Sequence, residues 1–195
     1  GRRSVKNVCL SYLASLADDA AVERLVAQYR GADNMTDQIV ALSCLCDIPG
    51  PAREEVLGHF HRRWKDEPNV LDKWFTLQAT SDLADVLERV RALTQHPDFT
   101  LANPNRARSL IGAFAAGNPN ALHQPSGAGY RFLADQIQSL DALNPQVASR
   151  MVDPLLRWRR YDPARGDQMR AELARILSRD TLSRDVREKV SKALG

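Results

Sequence analysis

The sequence predicts an all-α protein, and three observations carry that reading. Apolar residues recur at i, i+3 and i+4 almost from end to end, the period of a single helix face. Helix-start signals, Asp or Asn-Pro ahead of an apolar run, recur through the 195 residues. No alternating apolar and polar stretch is long enough for a half-buried strand. In chain order, Val5, Val8, Cys9, Tyr12, Leu13 and Leu16 make the first helical stripe. Asp19 is placed to cap a second helix with Val22, Leu25, Val26 and Tyr29, closed by Gly31. Thr36 starts a third with Ile39, Val40, Leu42, Ser43 and Cys46, and Pro51 opens a fourth with Val56, Leu57, Phe60 and Trp64. Residues 69–80 make a fifth around Val70, Trp74, Leu77 and Gln78. Asp82 is the expected cap of a sixth with Leu83, Val86, Leu87, Val90 and Leu93, which His96-Pro97 stops.

Further helices are expected from Asn103-Pro104, near Gly127 and from Asn144-Pro145. Pro154 should kink or break the last of these, because its ring clashes with the preceding turn. Two more cover about 163–178 and 183–194. Helices joined by short turns pack as antiparallel hairpins, and stacked hairpins form a solenoid. The expectation is an irregular HEAT/armadillo-like superhelical array of about ten helices, with residues 1–195 as one domain. The segment 116–129, rich in Gly, Asn, Pro and Ser, is the longest break and is read as a functional loop within that domain.

Composition narrows the function classes. A hydrophobic content of 44% is ordinary for a globular chain and argues against disorder. A net charge of +3 is too mild to point to nucleic acid, whose partners concentrate Lys and Arg on one face. No apolar run approaches the length of a membrane span, and Gly1-Arg2-Arg3 runs into helical periodicity with no secretory signal. Cys9, Cys44 and Cys46 sit among apolar residues and are expected to be buried free thiols in a reducing compartment.

The most informative local feature is a stretch without acid. Between Asp98 and Asp135 there is no Asp or Glu, although 26% of the chain is charged. Arg106, Arg108, His123 and Arg131 lie inside it, with the turns Asn103-Pro104-Asn105 and Asn118-Pro119-Asn120. Asn144-Pro145-Gln146 follows, with Arg150 one turn later. Helix starts carry partial positive charge and free N–H donors, and guanidinium matches a carboxylate fork to fork. Gln146 and Arg150 share a helix face at i, i+4, and Arg108 holds a similar place after Asn103-Pro104. Together these could converge on an anionic or carbonyl-bearing ligand. The competing reading pairs both arginines with acids on neighbouring helices.

Other constellations are weaker. His59-x-His61 places its rings on different helix faces, so the pair reads as structural or surface. There is no His-Glu-x-x-His, no Cys-x-x-Cys, no nucleophile elbow and no phosphate-binding Gly-rich loop. Lys73-Trp74-Phe75 with Leu77 and Gln78 reads as core with Lys73 reaching outward. Arg157-Trp158-Arg159-Arg160-Tyr161, flanked by Asp153 and Asp162, reads as a solvated helix end with Trp158 half buried rather than a stacking platform.

Several segments carry a resemblance. Asn34-Met35-Thr36-Asp37, the run from Leu71 to Ala79, the run from Asn103 to Phe114, the run from Asn144 to Arg150, and Lys192-Ala193-Leu194 resemble the C-terminal helical domain of bacterial aminopeptidase N, a gluzincin-type zinc aminopeptidase family. The resemblance runs over nearly the whole chain. It implies a cytoplasmic enzyme that releases N-terminal amino acids through a zinc-activated water, with the zinc bound outside this chain. It implies that this chain caps the active-site cavity, limits access to small peptides, and contacts the primed side of the peptide substrate through Arg108, Gln146 and Arg150. Its partners would be the catalytic and other domains of the same polypeptide, with no nucleic acid and no membrane. The alternative is a free-standing helical-repeat module for protein or RNA, favoured by the mild basic charge and the Arg157–Tyr161 cluster.

Overall fold

Side-chain caps begin many of the helices. Asp18 accepts from the Ala21 amide, Asn34 from Asp37, Asp162 from Arg165 and Ser183 from Val186. The computed structural model describes residues 1–195 and contains only helices. The first half holds α1 (Arg2–Ala14), α2 (Asp19–Gly31), α3 (Met35–Cys46), α4 (Pro51–Trp64), α5 (Pro68–Ala79) and α6 (Val86–Leu93). Next come α7 (Pro104–Ala107), a π-helical turn (Arg108–Gly112), α8 (Ala113–Gly117), α9 (Pro119–Leu122) and α10 (Ala128–Asp141). The chain closes with α11 (Pro145–Met151), α12 (Asp153–Leu156), a 3-10 turn (Trp158–Arg160), α13 (Pro163–Leu177) and α14 (Arg184–Leu194). The all-α expectation holds. The helix count exceeds about ten because the π turn, Asn118 and the step at Val152 divide longer periodic stretches.

Long helices pack on their sequence neighbours and on the helix after next. α3 meets α1, α2 and α4, and α5 meets α4, α6 and the π turn. In the second half α10 meets α11 and α13, while α14 meets α13 and α11. This local pattern is that of a helical repeat array. Forty-one buried residues form one hydrophobic cluster running through both halves. Phe114 of α8 meets Phe132 of α10 edge to face at 5.6 Å, worth about 0.5–1.5 kcal/mol beyond the area buried. Trp74 and Phe75 are buried while Lys73 is exposed, and the Trp74 indole N–H donates to the Leu57 carbonyl at 3.0 Å.

Three expectations need correction. Asp18, not Asp19, caps α2, and α3 starts at Met35, capped by Asn34, rather than at Thr36. Asp82 caps nothing, and α6 begins only at Val86. The Asp82 amide instead donates to Asp47 Oδ1 at 3.0 Å, and the Ser81 hydroxyl donates to the Cys46 carbonyl at 2.7 Å. Those bonds pin residues 81–82 to the end of α3 and delay the next helix. Cys9 is exposed rather than buried, and Cys44 is intermediate. Only Cys46 is fully enclosed, where burial pushes its thiol up to about 12.

Cys9 is exposed because α1 docks through Asn7 and Leu10 rather than through its main apolar stripe. Asn7 and Leu10 are the buried residues of α1, whereas Val5, Val8, Tyr12 and Leu16 are each more than half exposed. Asp37 of α3 accepts from Lys6 at 2.5 Å and from Asn7 at 2.9 Å, and Gln28 of α2 donates to Asn7 Oδ1 at 2.9 Å. The bonds from Lys6 and Asn7 hold the Asp37 carboxyl down at about 2. Pro154 acts as expected: α11 stops at Met151 and the chain restarts as α12.

Candidate anion-binding cleft

All three Asn-Pro signals start helices. Asn103 accepts from the amides of Asn105 at 3.0 Å and Arg106 at 3.3 Å, Asn118 from Ala121 at 3.1 Å, and Asn144 from Val147 at 3.1 Å. The cap oxygens therefore occupy first-turn donors that the sequence reading assigned to an anion. Positive character comes from side chains instead.

Those side chains meet in a cleft of about 520 Å³. The π turn contributes Arg108 and Gly112, α8 contributes Ala115 and Ala116, and Pro119 and His123 flank them. α11 contributes Val147, Arg150 and Met151. The step at Val152 brings in Asp153, Pro154 and Arg157, and Tyr161 follows the 3-10 turn. Small residues at 112, 115 and 116 leave room between the charged walls.

The charges are unevenly matched. Arg108 donates to Asn105 Oδ1 at 2.9 Å and meets no carboxylate. Arg150 and Arg157 make no ion pair; the acidic side chain lining the cleft, Asp153, is held by Lys189 Nζ at 2.5 Å. Three arginines thus line one cleft with no acid committed to them. This disagrees with the reading in which Arg108 and Arg150 pair with neighbouring acids. Arg106, two residues before Arg108, follows that reading instead: it is buried and pairs with Asp72 at 2.6 Å. Arg131 donates to the Ser126 carbonyl.

His123 anchors the uncharged side. Its Nδ1 shares a hydrogen bond with the Tyr130 hydroxyl and its Nε2 one with the Tyr161 hydroxyl, each at 2.8 Å. The rings of His123 and Tyr161 stack at 4.3 Å. Burial first, then the Arg165 charge, lowers the His123 pKa. Burial also pushes the Tyr130 phenol up to about 12. The bond between His123 and Tyr130 therefore runs between neutral groups.

The structure brings Arg108 and Arg150 into one cleft. Gln146 is exposed on α11, one turn before Arg150, and does not line it. Sequence reasoning missed Arg157 and Tyr161 as lining residues, whereas His123 belongs to the acid-free stretch it singled out. Trp158 is half buried and Arg159 and Arg160 are exposed, as read for that cluster. The signal for Arg157 was Pro154, whose break redirects the chain just before it.

Comparison with known proteins follows the same chain limits. A family model described as a domain of unknown function (DUF3458_C) with ARM repeats matches residues 1–195. Aminopeptidase N of Caulobacter vibrioides is 50% identical over 195 residues, which is 100% of this chain and 23% of that protein. Aminopeptidase N of Escherichia coli is 46% identical over 193 residues, 99% of this chain and 22% of that protein. The crystal structure of Legionella pneumophila aminopeptidase A in complex with aspartic acid has a TM-score of 0.92 at 38% identity, covering 98% of this chain and 23% of that one. The chain therefore spans less than a quarter of the length of these relatives.

Proposed function

Because the chain belongs to the DUF3458_C ARM-repeat family, the C-terminal helical domain of aminopeptidase N homologues, we propose that it serves as the cap of a zinc-dependent aminopeptidase. In this reading it closes the active-site cavity, limits entry to small peptides, and holds the primed side of the peptide. The observation that carries the reading is the cleft in which Arg108, Arg150 and Arg157 lie without a carboxylate partner. A peptide leaving group that ends in a carboxylate supplies the missing charge, and charge-assisted bonds to it are the strong ones. Gln146, exposed beside Arg150, is a neutral secondary contact.

The zinc would lie on residues outside this chain, which has no His-Glu-x-x-His on any helix. Bound there, it would activate the water that attacks the N-terminal peptide bond. The exposed stripe of Val5, Val8, Tyr12 and Leu16 is the proposed contact with the remainder of the polypeptide. No helix is long and apolar enough to cross a membrane, and we assign the whole enzyme to the cytoplasm. Nucleic acid is not a partner in this reading. The 195-residue chain alone should show no turnover of amino-acid arylamides, and its affinity for RNA should be non-specific at physiological salt. Turnover by the chain alone, or submicromolar RNA binding, would overturn the proposal.

A further inference from the structure

His61, His96 and Asp98 form a second constellation that none of the cleft chemistry uses. His61 comes from the last turn of α4, and His96 and Asp98 from the turn after α6. One donor atom from each lies within 4.8 Å of the other two. His61 Nε2 is 2.6 Å from Asp98 Oδ2, and His96 Nδ1 is 3.8 Å from the same oxygen. We propose that these three side chains bind one divalent transition-metal ion of the zinc type, as a structural clip between α4 and the turn after α6.

The donor set selects the class of ion. Two imidazoles and one carboxylate suit zinc, cobalt, nickel or copper, whereas magnesium and calcium prefer oxygen alone. Zinc bonds of about 2.0–2.2 Å place tetrahedral donors roughly 3.3–3.5 Å apart. The two distances to Asp98 Oδ2, 2.6 and 3.8 Å, bracket that spacing, and all three donors lie within 4.8 Å of one another. The ion replaces the hydrogen bond between His61 and Asp98, and the proton in that bond leaves to solvent. His96 Nδ1 accepts the Asp98 amide at 3.2 Å, so this nitrogen is unprotonated, and the ion must displace that amide from its one lone pair.

The rings are already held. His61 lies 4.9 Å from the Trp74 ring, and His96 lies 5.2 Å from Trp74 and 5.9 Å from Phe75. Packing of this kind fixes ligand rotamers before the ion arrives. The three side chains keep 20%, 24% and 35% exposure, which gives an entry path and a place for a water ligand. Arg106 opposes binding: its guanidinium donates to the Asp98 carbonyl, pairs with Asp72 and lies over Phe75.

Sequence spacing hid the site. His59, the nearer candidate partner of His61, bonds the Tyr29 hydroxyl at 2.8 Å instead. The partners of His61 lie beyond the whole of α5 and α6.

The test titrates the chelator-treated 195-residue chain with zinc and with cobalt at neutral pH. One ion per chain is expected, with cobalt absorption lacking any thiolate charge-transfer band. At about 100-fold excess over Kd, zinc should raise Tm by roughly 5–10 °C. His96→Ala and Asp98→Asn should each weaken binding by more than about tenfold. Asp98→Asn preserves shape and the bond to His61, so it covers the case in which His96→Ala fails to fold. Absence of binding would overturn the proposal. So would unchanged affinity in Asp98→Asn, or a thiolate band, which would place the ion on the exposed Cys9. None of these results bears on the cleft.

Discussion

His123 shows how surroundings fix the charge of one residue at the cleft. Both ring nitrogens are engaged by tyrosine hydroxyls, and burial with Arg165 lowers its pKa. The unfolded chain therefore takes up the proton first as pH falls through about 6.5. The group's contribution is complete above that value and is lost on acidification. His96 is shifted in the same direction. Replacing His123 with Gln should make the decline of Tm between roughly pH 7.5 and 5.5 shallower, with the His96 share remaining. A decline as steep as before would contradict it. Other single residues were legible only as a group. The acid-free stretch contains Arg106, Arg108, His123 and Arg131, yet only Arg108 and His123 line the cleft. Arg106 is taken by Asp72, 34 residues away, and no local pattern announces that partner.

At the scale of elements, helix starts were the most readable feature, because Asn-Pro acts through its own first turn. The three such caps are not equal. Asn144 serves α11 alone, so Asn144→Ala should cost about 1 kcal/mol. That corresponds to roughly 2–4 °C in Tm. Asn118 is buried, and its amide also donates to the carbonyls of Ala79 at 3.2 Å and Ser81 at 2.8 Å. Asn118→Ala should cost at least about 2 kcal/mol, since it strands buried carbonyls. Thermal melts of the two variants check the order, and equal losses would refute it. Asp82 was misread because its competitor is distant: Asp47 captures the amide that a cap would leave free. The division at Val152 was readable from Pro154. The π turn at Arg108–Gly112 had no sequence signal.

At the scale of the whole molecule, the all-helical array was legible because nearly every segment carries its own apolar face. The orientation of α1 was not. Its apolar stripe satisfies the helical period, but the polar bonds of Asn7 and Lys6 to Asp37 turn that stripe outward. Tyr12, 78% exposed, makes the point testable. Tyr12→Glu should change the stability of the 195-residue chain by no more than about 0.5 kcal/mol. In the full-length polypeptide it should lower Tm clearly, because there the stripe is proposed to be covered. A small effect in both settings would show that α1 meets solvent in each.

The central claim, that the arginine cleft reads the carboxylate side of a peptide, is tested most directly by Arg150→Ala in the full-length polypeptide, the proposed aminopeptidase. A charge-assisted bond is worth about 1.5–3 kcal/mol, and solvent exposure of Arg150 brings the loss toward the lower end. At about 1.4 kcal/mol per decade, kcat/KM on dipeptides should fall roughly tenfold. Arylamide substrates carry no such carboxylate and should lose much less, with Tm unchanged. Arg108→Ala should follow the same contrast, and Gln146→Ala a weaker one. Equal losses on dipeptide and arylamide at unchanged Tm would contradict the account.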